Sequence, residues 1–547
     1  METVQRHKTA MTRTFLSRPV QQLLADGLLD GPAGFFDYGC GRGGDVRHLR
    51  EMGMPAAGWD PAHAPDEPLV PSAVVNLGFV VNVIEDHQER RDALHKAWAL
   101  AQEVLVVSAR MDWEAPTEPG RPFRDGFLTK TGTFQKFFRQ DELRAWIDST
   151  LDQKSVAAAP GIFYVFRSAA TQQHLLSRLT RTGGSRRTGV AELVLRHHKE
   201  LLNPLVEFVA STRRLPNPAE LDQVPRLLEV FGSVRSAFSV IRRVPDSGDW
   251  SDIEVGARKS SEARFEANLT VLQPLIDFLR DRGRLPRDGD EFDSTALTDA
   301  FGSVRAAYSL VRRVAGADVW TDYEARARTD FLVYLALAAF GGRPKFTDLP
   351  ADLQNDTRDF FGSYKEATAA ADQLLFTVGK PEAVDAACRE SGIGKLTPEA
   401  LYVHVAALPV LPAALRVYAG CGQALTGRVE EATILKLHRQ KPQVSFLSYP
   451  RFDADAHPAL ATSIVARLRE LNVSYKDFSQ RDNPPILHRK ETFVSPDYPG
   501  RPKFAALTAK EERLGLLDSP TIGTRVGWEA ALRDAGWMIR GHQVREL

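Results

Sequence analysis

Apolar positions follow two rhythms along this chain, and the change of rhythm divides it. From Thr12 to Leu29, residues Phe15, Leu16, Val20, Leu23, Leu24 and Leu28 recur at helical spacing and predict a helix covering a sheet edge. Phe35-Phe36-Asp37-Tyr38 is then a short, nearly unbroken apolar run, the pattern of a buried parallel strand. Ala56–Trp59, the first half of Ala73–Ile84, and Val104–Ala109 read the same way, with a helix at Asp86–Ala101. The order strand, helix, strand, strand, helix, strand predicts a doubly wound α/β sheet. Asp60–Ala73 is too short for a complete strand and helix, so one α/β unit is trimmed. Arg110–Arg124, with three prolines, predicts a lid or acceptor loop; Phe134–Leu151 predicts an amphipathic helix and Ala157–Arg167 a closing hairpin.

Past Ala170 the pattern changes. Gln172–Lys199 is rich in Arg, Ser, Thr and Gly, including Arg178, Arg181, Arg186 and Arg187, and residues 171–200 read as a basic linker. Residues 201–385 then repeat. Phe231-Gly232-Ser233-Val234-Arg235 recurs as Phe301-Gly302-Ser303-Val304-Arg305, and Arg214-Leu215-Pro216 as Arg284-Leu285-Pro286, each seventy positions on. Phe361-Gly362-Ser363-Tyr364-Lys365 is a degenerate third copy. Matched segments at a fixed period predict stacked helical units. Ser233 and Ser303 stand where helices should start, as N-caps. The helices they open carry Arg235, Arg242 and Arg243, or Arg305, Arg312 and Arg313, around apolar Phe238, Ile241, Tyr308 and Val311. A short helix after a Gly-Ser turn, with arginines and an aromatic, resembles the DNA-binding repeats that accompany some homing endonucleases. The expected partner is nucleic acid, double-stranded DNA, with phosphates met by these arginines and capped helix ends; the alternative is a solvated basic face.

Residues 386–547 mix both rhythms. Thr433–Leu437 and Val444–Tyr449 predict strands, and Pro458–Leu471 a helix. Asp453, Asp455 and His457 alternate as ligands on a strand could, but a polar turn after Tyr449-Pro450 is the reading, and no metal is assigned. Asn483-Pro484-Pro485-Ile486 is close to the Asn-Pro-Pro-aromatic turn of amino-methyltransferases, yet lacks the aromatic and reads as a Pro-Pro turn.

Composition narrows the class. At 547 residues the chain is long enough for several domains, and its zero formal net charge supplies no global pull toward nucleic acid. Its three cysteines, Cys40, Cys388 and Cys421, are far apart and lack CxxC spacing, which fits a reducing cytoplasm. No apolar run reaches membrane-spanning length, so no membrane partner is expected.

The chemistry concentrates in Asp37-Tyr38-Gly39-Cys40-Gly41-Arg42-Gly43-Gly44. Gly39, Gly41 and Gly44 satisfy the dinucleotide pattern GxGxxG, whereas Gly39, Gly41 and Gly43 follow a carboxylate two residues upstream. That carboxylate, Asp37, repels a pyrophosphate and attracts the ammonium of S-adenosylmethionine, which tilts the reading toward the latter. Asp60 ends the next strand, placed to accept from ribose hydroxyls. The expected cofactor contacts are Asp37, Gly39, Gly41, Gly43, Asp60 and Asn76. The loop, the Gly58-Trp59-Asp60-Pro61 turn, the stretch Val74–Asp86, Gly132–Phe138 and Ala159–Phe166 together resemble a class I S-adenosylmethionine-dependent methyltransferase. More narrowly they resemble the methyltransferases associated with bacterial DNA phosphorothioation gene clusters, and the segments at His488–Glu491 and Ile522–Trp528 extend that resemblance. It implies DNA modification or defence in bacteria, alongside other proteins of such a cluster. DNA amino-methyltransferases hold the acceptor with an Asn/Asp-Pro-Pro-aromatic turn; here Asn76-Leu77-Gly78-Phe79 stands instead. Asn76, Phe79 and Asn82 are the candidate acceptor contacts, with a catalytic or a structural role. A non-catalytic DNA-binding regulatory or assembly subunit, and a methyltransferase for RNA or a small molecule, are the alternatives.

Overall fold

The structure, a computed structural model, describes residues 4–30, 34–182, 195, 198–231, 233–242, 244, 250, 253 and 260–547. The chain divides into two compact units: Met1–Leu176 with Leu335–Asp348 and Ala369–Leu547, and Ser177–Tyr334 with Leu349–Thr368.

In the first unit, β1 (Phe35–Tyr38), β2 (Ala56–Trp59), β3 (Ser72–Gly78) and β4 (Ala101–Ser108) form the parallel part of a six-stranded sheet. The sheet is completed by the antiparallel hairpin β8 (Val156–Ala159) and β9 (Ile162–Phe166), in the order β2-β1-β3-β4-β9-β8. The apolar runs bury both faces. Phe36, Val75, Leu77, Leu105 and Val107 face one cluster, and Phe35, Val74, Val104 and Val106 the other. Helices α3 (His87–Leu100) and α4 (Gln140–Leu151) supply the first cluster through Leu94, Ala97, Leu143 and Ile147. Helices α1 (Arg18–Ala25), α2 (Gly44–Glu51) and α5 (Ala169–Thr180) supply the second through Val20, Leu23, Leu49 and Leu175. Asp86 caps α3 by accepting from Gln88 N and Glu89 N, both at 3.0 Å.

Helix boundaries depart from the periodicity in two places here. The helix expected from Thr12 begins only at Arg18, with Pro19 in its first turn, and Phe15 is left 68% exposed. Proline is suited to a first helical turn and not to an interior one, so the helix starts there. Its Val20 and Leu23 lie over the face made by β3 and β4 rather than over an edge. The helix expected from Phe134 begins at Gln140, because Phe134-Gln135 forms β7 against β6 (Gly126–Leu128), itself paired with β5 (Arg121–Phe123). Pairing fixes that segment as extended despite its helical spacing. The stretch read as a linker from 171 starts as helix, since α5 runs to Thr180.

The second unit and its flanks are helical. In chain order they are α6 (Lys199–Thr212), α7 (Val224–Phe231), α8 (Val234–Arg242), α9 (Ser260–Ala267), α10 (Leu269–Arg282), α11 (Thr295–Phe301), α12 (Val304–Ala315), α13 (Ala317–Ala338), α14 (Ala351–Phe361), α15 (Tyr364–Val378) and α16 (Pro381–Glu390). Each Phe-Gly-Ser segment falls between two helices: α7 and α8, α11 and α12, α14 and α15. Pro204 and Pro274, also seventy apart, lie inside α6 and α10.

The C-terminal part belongs to the first unit. An antiparallel sheet runs in chain order through β10 (Lys395–Leu396), β11 (Ala400–His404), β12 (Ile434–His438), β13 (Gln443–Ser448), β14 (Thr462–Arg467) and β15 (Asn472–Asp477). Strand β14 overturns the helix expected over Pro458–Leu471. Thr462, Ile464 and Val465 are β-branched, and β13 and β15 pair with both edges of the segment. Helix α17 (Ala413–Thr426) leads into Gly427, whose backbone packs on β8: a Cβ there would stand 2.4 Å from Ala159 N. Arg428 extends the joint, reaching buried Asp26 at 3.1 Å. Helices α18 (Arg501–Arg513) and α19 (Arg525–Asp534) and the hairpin β16 (Trp537–Arg540) and β17 (Gln543–Glu546) finish the chain. Among the described residues, no helix is long and apolar enough to cross a membrane.

Candidate functional site

Parallel strands deliver their carboxyl ends to one edge, and here β1, β2 and β3 end around a single crevice of about 520 Å³. Asp37, Gly39, Gly41, Asp60, Asn76, Phe79 and Asn82 all line it. Gly43 does not. It caps α2 at φ +69° and lines a neighbouring cleft with Arg42 and Arg47.

The loop's glycines have separate reasons. At Gly39 φ is +86° and a Cβ would stand 2.4 Å from Val80 Cγ2, so no larger residue fits. Gly58 in β2 lets the strand close on the loop, since a Cβ there would meet Cys40 and Val46 at 2.9 Å. The closure is made by hydrogen bonds. Gly39 N and Cys40 N donate to Trp59 O at 2.8 and 3.1 Å, Gly41 N donates to Asp60 Oδ2 at 3.0 Å, and Gly43 N to Cys40 O at 2.9 Å. These four amides are spent within the protein. A loop that cradles a pyrophosphate offers its amides to the ligand.

The electrostatics point the same way. Asp37, Asp45 and Asp60 line one crevice, and Asp37 is almost fully buried. Burial, with Asp45 beside it, pushes the Asp37 carboxyl up to about 7, against the hydrogen bond it accepts from Asn76 Nδ2 at 2.9 Å. Such a site gains by taking a cation. Asn76 turns its amide nitrogen to Asp37 and leaves Oδ1 buried without a hydrogen bond; Gly78 makes room for that side chain, as a Cβ would stand 2.7 Å from Asn76 Nδ2. Asp60 Oδ1 accepts from Ala62 N and His63 N, both at 2.9 Å, so three backbone amides fix its carboxylate. Phe79 adopts φ +59°, a strained value for an aromatic residue, directly after β3. Asn82 is buried and donates to Gln135 Oε1 at 3.2 Å.

Sequence reasoning missed the crevice's cover. The segment before α1 crosses it: Arg6 pairs with Glu85 at 2.8 Å, Ala10 sits where a Gly41 Cβ would reach it at 3.1 Å, and Arg13 stacks 5.7 Å over the Phe79 ring. No periodicity marks these residues; only the pairing of Arg6 and Arg13 with groups far along the chain gives them a place.

In the second unit the two expected caps form, at Ser233 and Ser303, and the third copy repeats them. Ser233 Oγ accepts from Ser236 N at 3.0 Å, Ser303 Oγ from Ala306 N at 3.1 Å, and Ser363 Oγ from Glu366 N at 3.2 Å. Arg235, Arg242, Arg305, Arg312 and Arg313 are exposed on α8 and α12, while Phe238, Ile241 and Val311 are buried beneath them. Arg243, with Arg186 and Arg187, lies outside the described residues. The Arg-Leu-Pro arginines share a local device, exposed at Arg214 and buried at Arg284. Arg214 bonds Glu220 at 2.7 Å, and Arg284 bonds Asp290 at 2.8 Å, each acid also accepting a backbone amide three residues before it. Arg284 is further buried against Asp356 at 2.6 Å, and Arg181 and Arg282 reach Asp352 in the same network.

The C-terminal motifs resolve locally. Asp453 and Asp455 lie in the turn after Tyr449, where Asp453 accepts from the Tyr498 hydroxyl at 2.9 Å and Asp455 from Arg451 Nε at 2.9 Å. Asn483 Oδ1 accepts from Val526 N at 2.9 Å in the first turn of α19, so the Asn-Pro-Pro turn is built into the fold. No family model matches the chain, and no curated protein matches it in sequence.

Proposed function

We propose that the chain is an S-adenosylmethionine-dependent methyltransferase acting on DNA, in a phosphorothioation-linked modification or defence system of the kind its motifs resemble. The observation that carries the cofactor reading is the crevice at the ends of β1–β3, with Asp37, Asp45 and Asp60 around a loop whose amides are already bonded. Its volume lies within the ~300–1,000 Å³ of small-molecule sites. When bound, the cofactor supplies a sulfonium methyl group open to in-line displacement by an acceptor lone pair. Asp37, braced by Asn76, offers a carboxylate to the cofactor's cationic end. Asp60, fixed by three amides, keeps lone-pair capacity for a ribose hydroxyl. Asn76 Oδ1, free of hydrogen bonds, and the strained Phe79 line the same crevice and are the proposed acceptor contacts, where orientation would supply much of the rate. Exposed arginines beside capped helix starts support nucleic acid as the partner of the second unit.

The test is calorimetry of the full chain with S-adenosylmethionine, followed by a labelled-methyl screen over phosphorothioated DNA, plain DNA, RNA and small molecules. Binding is expected, weakened at least roughly tenfold by Asp60→Ala through loss of a charge-assisted hydrogen bond. Absence of binding sinks the cofactor reading. A second reading, a DNA-binding subunit that transfers nothing, is favoured by one observation: Asn76-Leu77-Gly78-Phe79 stands where amino-methyltransferases carry their Asn/Asp-Pro-Pro-aromatic turn. Cofactor and DNA binding with no labelled acceptor would select it.

A further inference from the structure

Three side chains from distant parts of the sequence meet in the C-terminal portion, away from the glycine crevice. Residues 457–460 and 485–488 run antiparallel: Leu460 N donates to Pro485 O at 2.8 Å, Leu487 N to Pro458 O at 3.1 Å, and Ala459 bridges Ile486. His457 and His488 therefore emerge side by side, ring centroids 4.5 Å apart. Glu511, on α18 and 1% exposed, closes the group, and one donor atom from each residue lies within 4.8 Å of the others.

The hydrogen bonds assign the lone pairs. His488 Nε2 lies 2.7 Å from Ile522 O. A carbonyl only accepts, so Nε2 carries the proton and Nδ1 carries the lone pair. That Nδ1 is buried with no hydrogen-bond partner, and so are both Glu511 oxygens. His457 Nε2 approaches Glu511 Oε1 to 2.8 Å, yet the oxygen accepts no hydrogen bond. The distance alone would suggest an ion pair; the missing alignment argues that the two atoms face a common point rather than each other. Lys490 is not the absent partner, because its Nζ is held by the carbonyls of Phe452 and Asp455 and by His542.

Two imidazole nitrogens and one carboxylate, with His488 Nδ1 and both Glu511 oxygens buried and unsatisfied, are the donor set of a zinc ion with three protein ligands. We propose that His457, His488 and Glu511 bind one zinc ion. The Nε2–H to Ile522 carbonyl bond fixes the His488 ring, as such bonds behind ligating histidines do. Trp528 walls the site, 4.7 Å from each imidazole. His457 and Trp528 also line a cavity of about 540 Å³, from which an ion and a fourth, water ligand would come. The site stands whether or not the cofactor reading does.

The experiment uses the full chain, stripped with chelator, reloaded with zinc or cobalt, and counted by elemental mass spectrometry. One zinc per chain is expected, with a higher melting temperature than the stripped protein and, for cobalt, the strong visible bands of four-coordination. Glu511→Gln and His488→Ala should each weaken zinc binding by more than the ~10–100-fold that changes behind a ligand cause. Glu511→Gln keeps the side chain's volume, so its cobalt spectrum decides if His488→Ala does not fold. A wild-type chain that takes up no zinc, or a folded Glu511→Gln chain that binds zinc and gives cobalt bands as wild type does, overturns the site.

Discussion

Two kinds of glycine junction open helices in this protein, and they differ in everything but backbone. At the crevice, Gly39, Gly41 and Gly43 take φ of +86°, +52° and +69° ahead of α2; between helices, Gly302 and Gly362 take +80° and +72° ahead of α12 and α15. The first junction has no side-chain cap, spends its amides on β2 and Asp60, and is lined by Asp37, Asp45 and Asp60. The second kind is capped by serine, and at Gly302 the helix that follows carries exposed arginines. A positive-φ glycine before a helix is thus silent about what binds. In the proposed function the neighbouring side chains decide the sign of the ligand, a cation at one junction and an anion at the other.

Substitution at Gly39 should have the largest effect. A valine there meets Val80 and must hold a left-handed backbone, costing roughly 2–5 kcal/mol from strain and overpacking together. Urea unfolding should show that loss, and binding of the proposed cofactor should vanish. Gly43→Ala is the control: nothing lies within 4 Å of its Cβ, so only the backbone cost of about 1–2 kcal/mol is expected. Equal effects at the two positions would mean that the crevice is not held by the contact with Val80.

The second junction is challenged by removing its charges. Replacing Arg235, Arg305, Arg312 and Arg313 with alanine should leave the fold intact, since all four are exposed. If they meet phosphates, DNA affinity falls and the slope of log affinity against log salt shrinks by up to about 3–4, near 0.9 for each contact. An unchanged slope would make the arginines a solvated face and remove the contrast.

How much of this was readable beforehand depended on what fixes each element. Strands β1, β3 and β4 were legible because a strand buried on two faces is one apolar run with no competing period. The Gly-Ser caps were legible because a serine cap is a local event. Strand β14 was not: Thr462-Ser463-Ile464-Val465-Ala466-Arg467 satisfies both periods, and only its partners β13 and β15 choose. The crevice residues followed from the spacing of a strand and its loop, whereas the cover formed by Arg6 and Arg13 rests on pairing across the fold. His457 was visible only as part of an alternation with Asp453 and Asp455, and its actual neighbours, His488 and Glu511, come from elsewhere in the chain.

Asp37 titrates near 7 because burial and Asp45 oppose its charge. A cationic ligand favours the ionised carboxylate, so binding at low pH must expel a proton. Affinity should rise about tenfold from pH 6 to pH 8 and level off above. Stability without ligand runs the other way. A carboxyl raised above its ordinary value stabilises the fold most under acid conditions, and that contribution is lost as pH rises through about 7. Asp37→Asn should therefore gain stability at pH 8 relative to wild type while losing cofactor affinity. A flat affinity profile from pH 6 to 8 would show that the bound ligand does not sense Asp37.

The smallest effect separates architecture from binding at the second junction. Ser303→Ala removes the acceptor for Ala306 N and should cost about 0.5–1 kcal/mol in thermal or urea unfolding, the low end for an exposed cap. Ser303→Asp keeps an acceptor at the same place, and its charge is favourable at a helix start, so stability should match wild type. The same carboxylate stands two residues before Arg305 and would repel a phosphate approaching the end of α12. Nucleic-acid binding should then fall in Ser303→Asp while stability holds, and remain closer to wild type in Ser303→Ala while stability falls. If Ser303→Asp binds DNA as wild type does, the helix start serves only the fold, and the contrast between the two junctions reduces to the arginines alone.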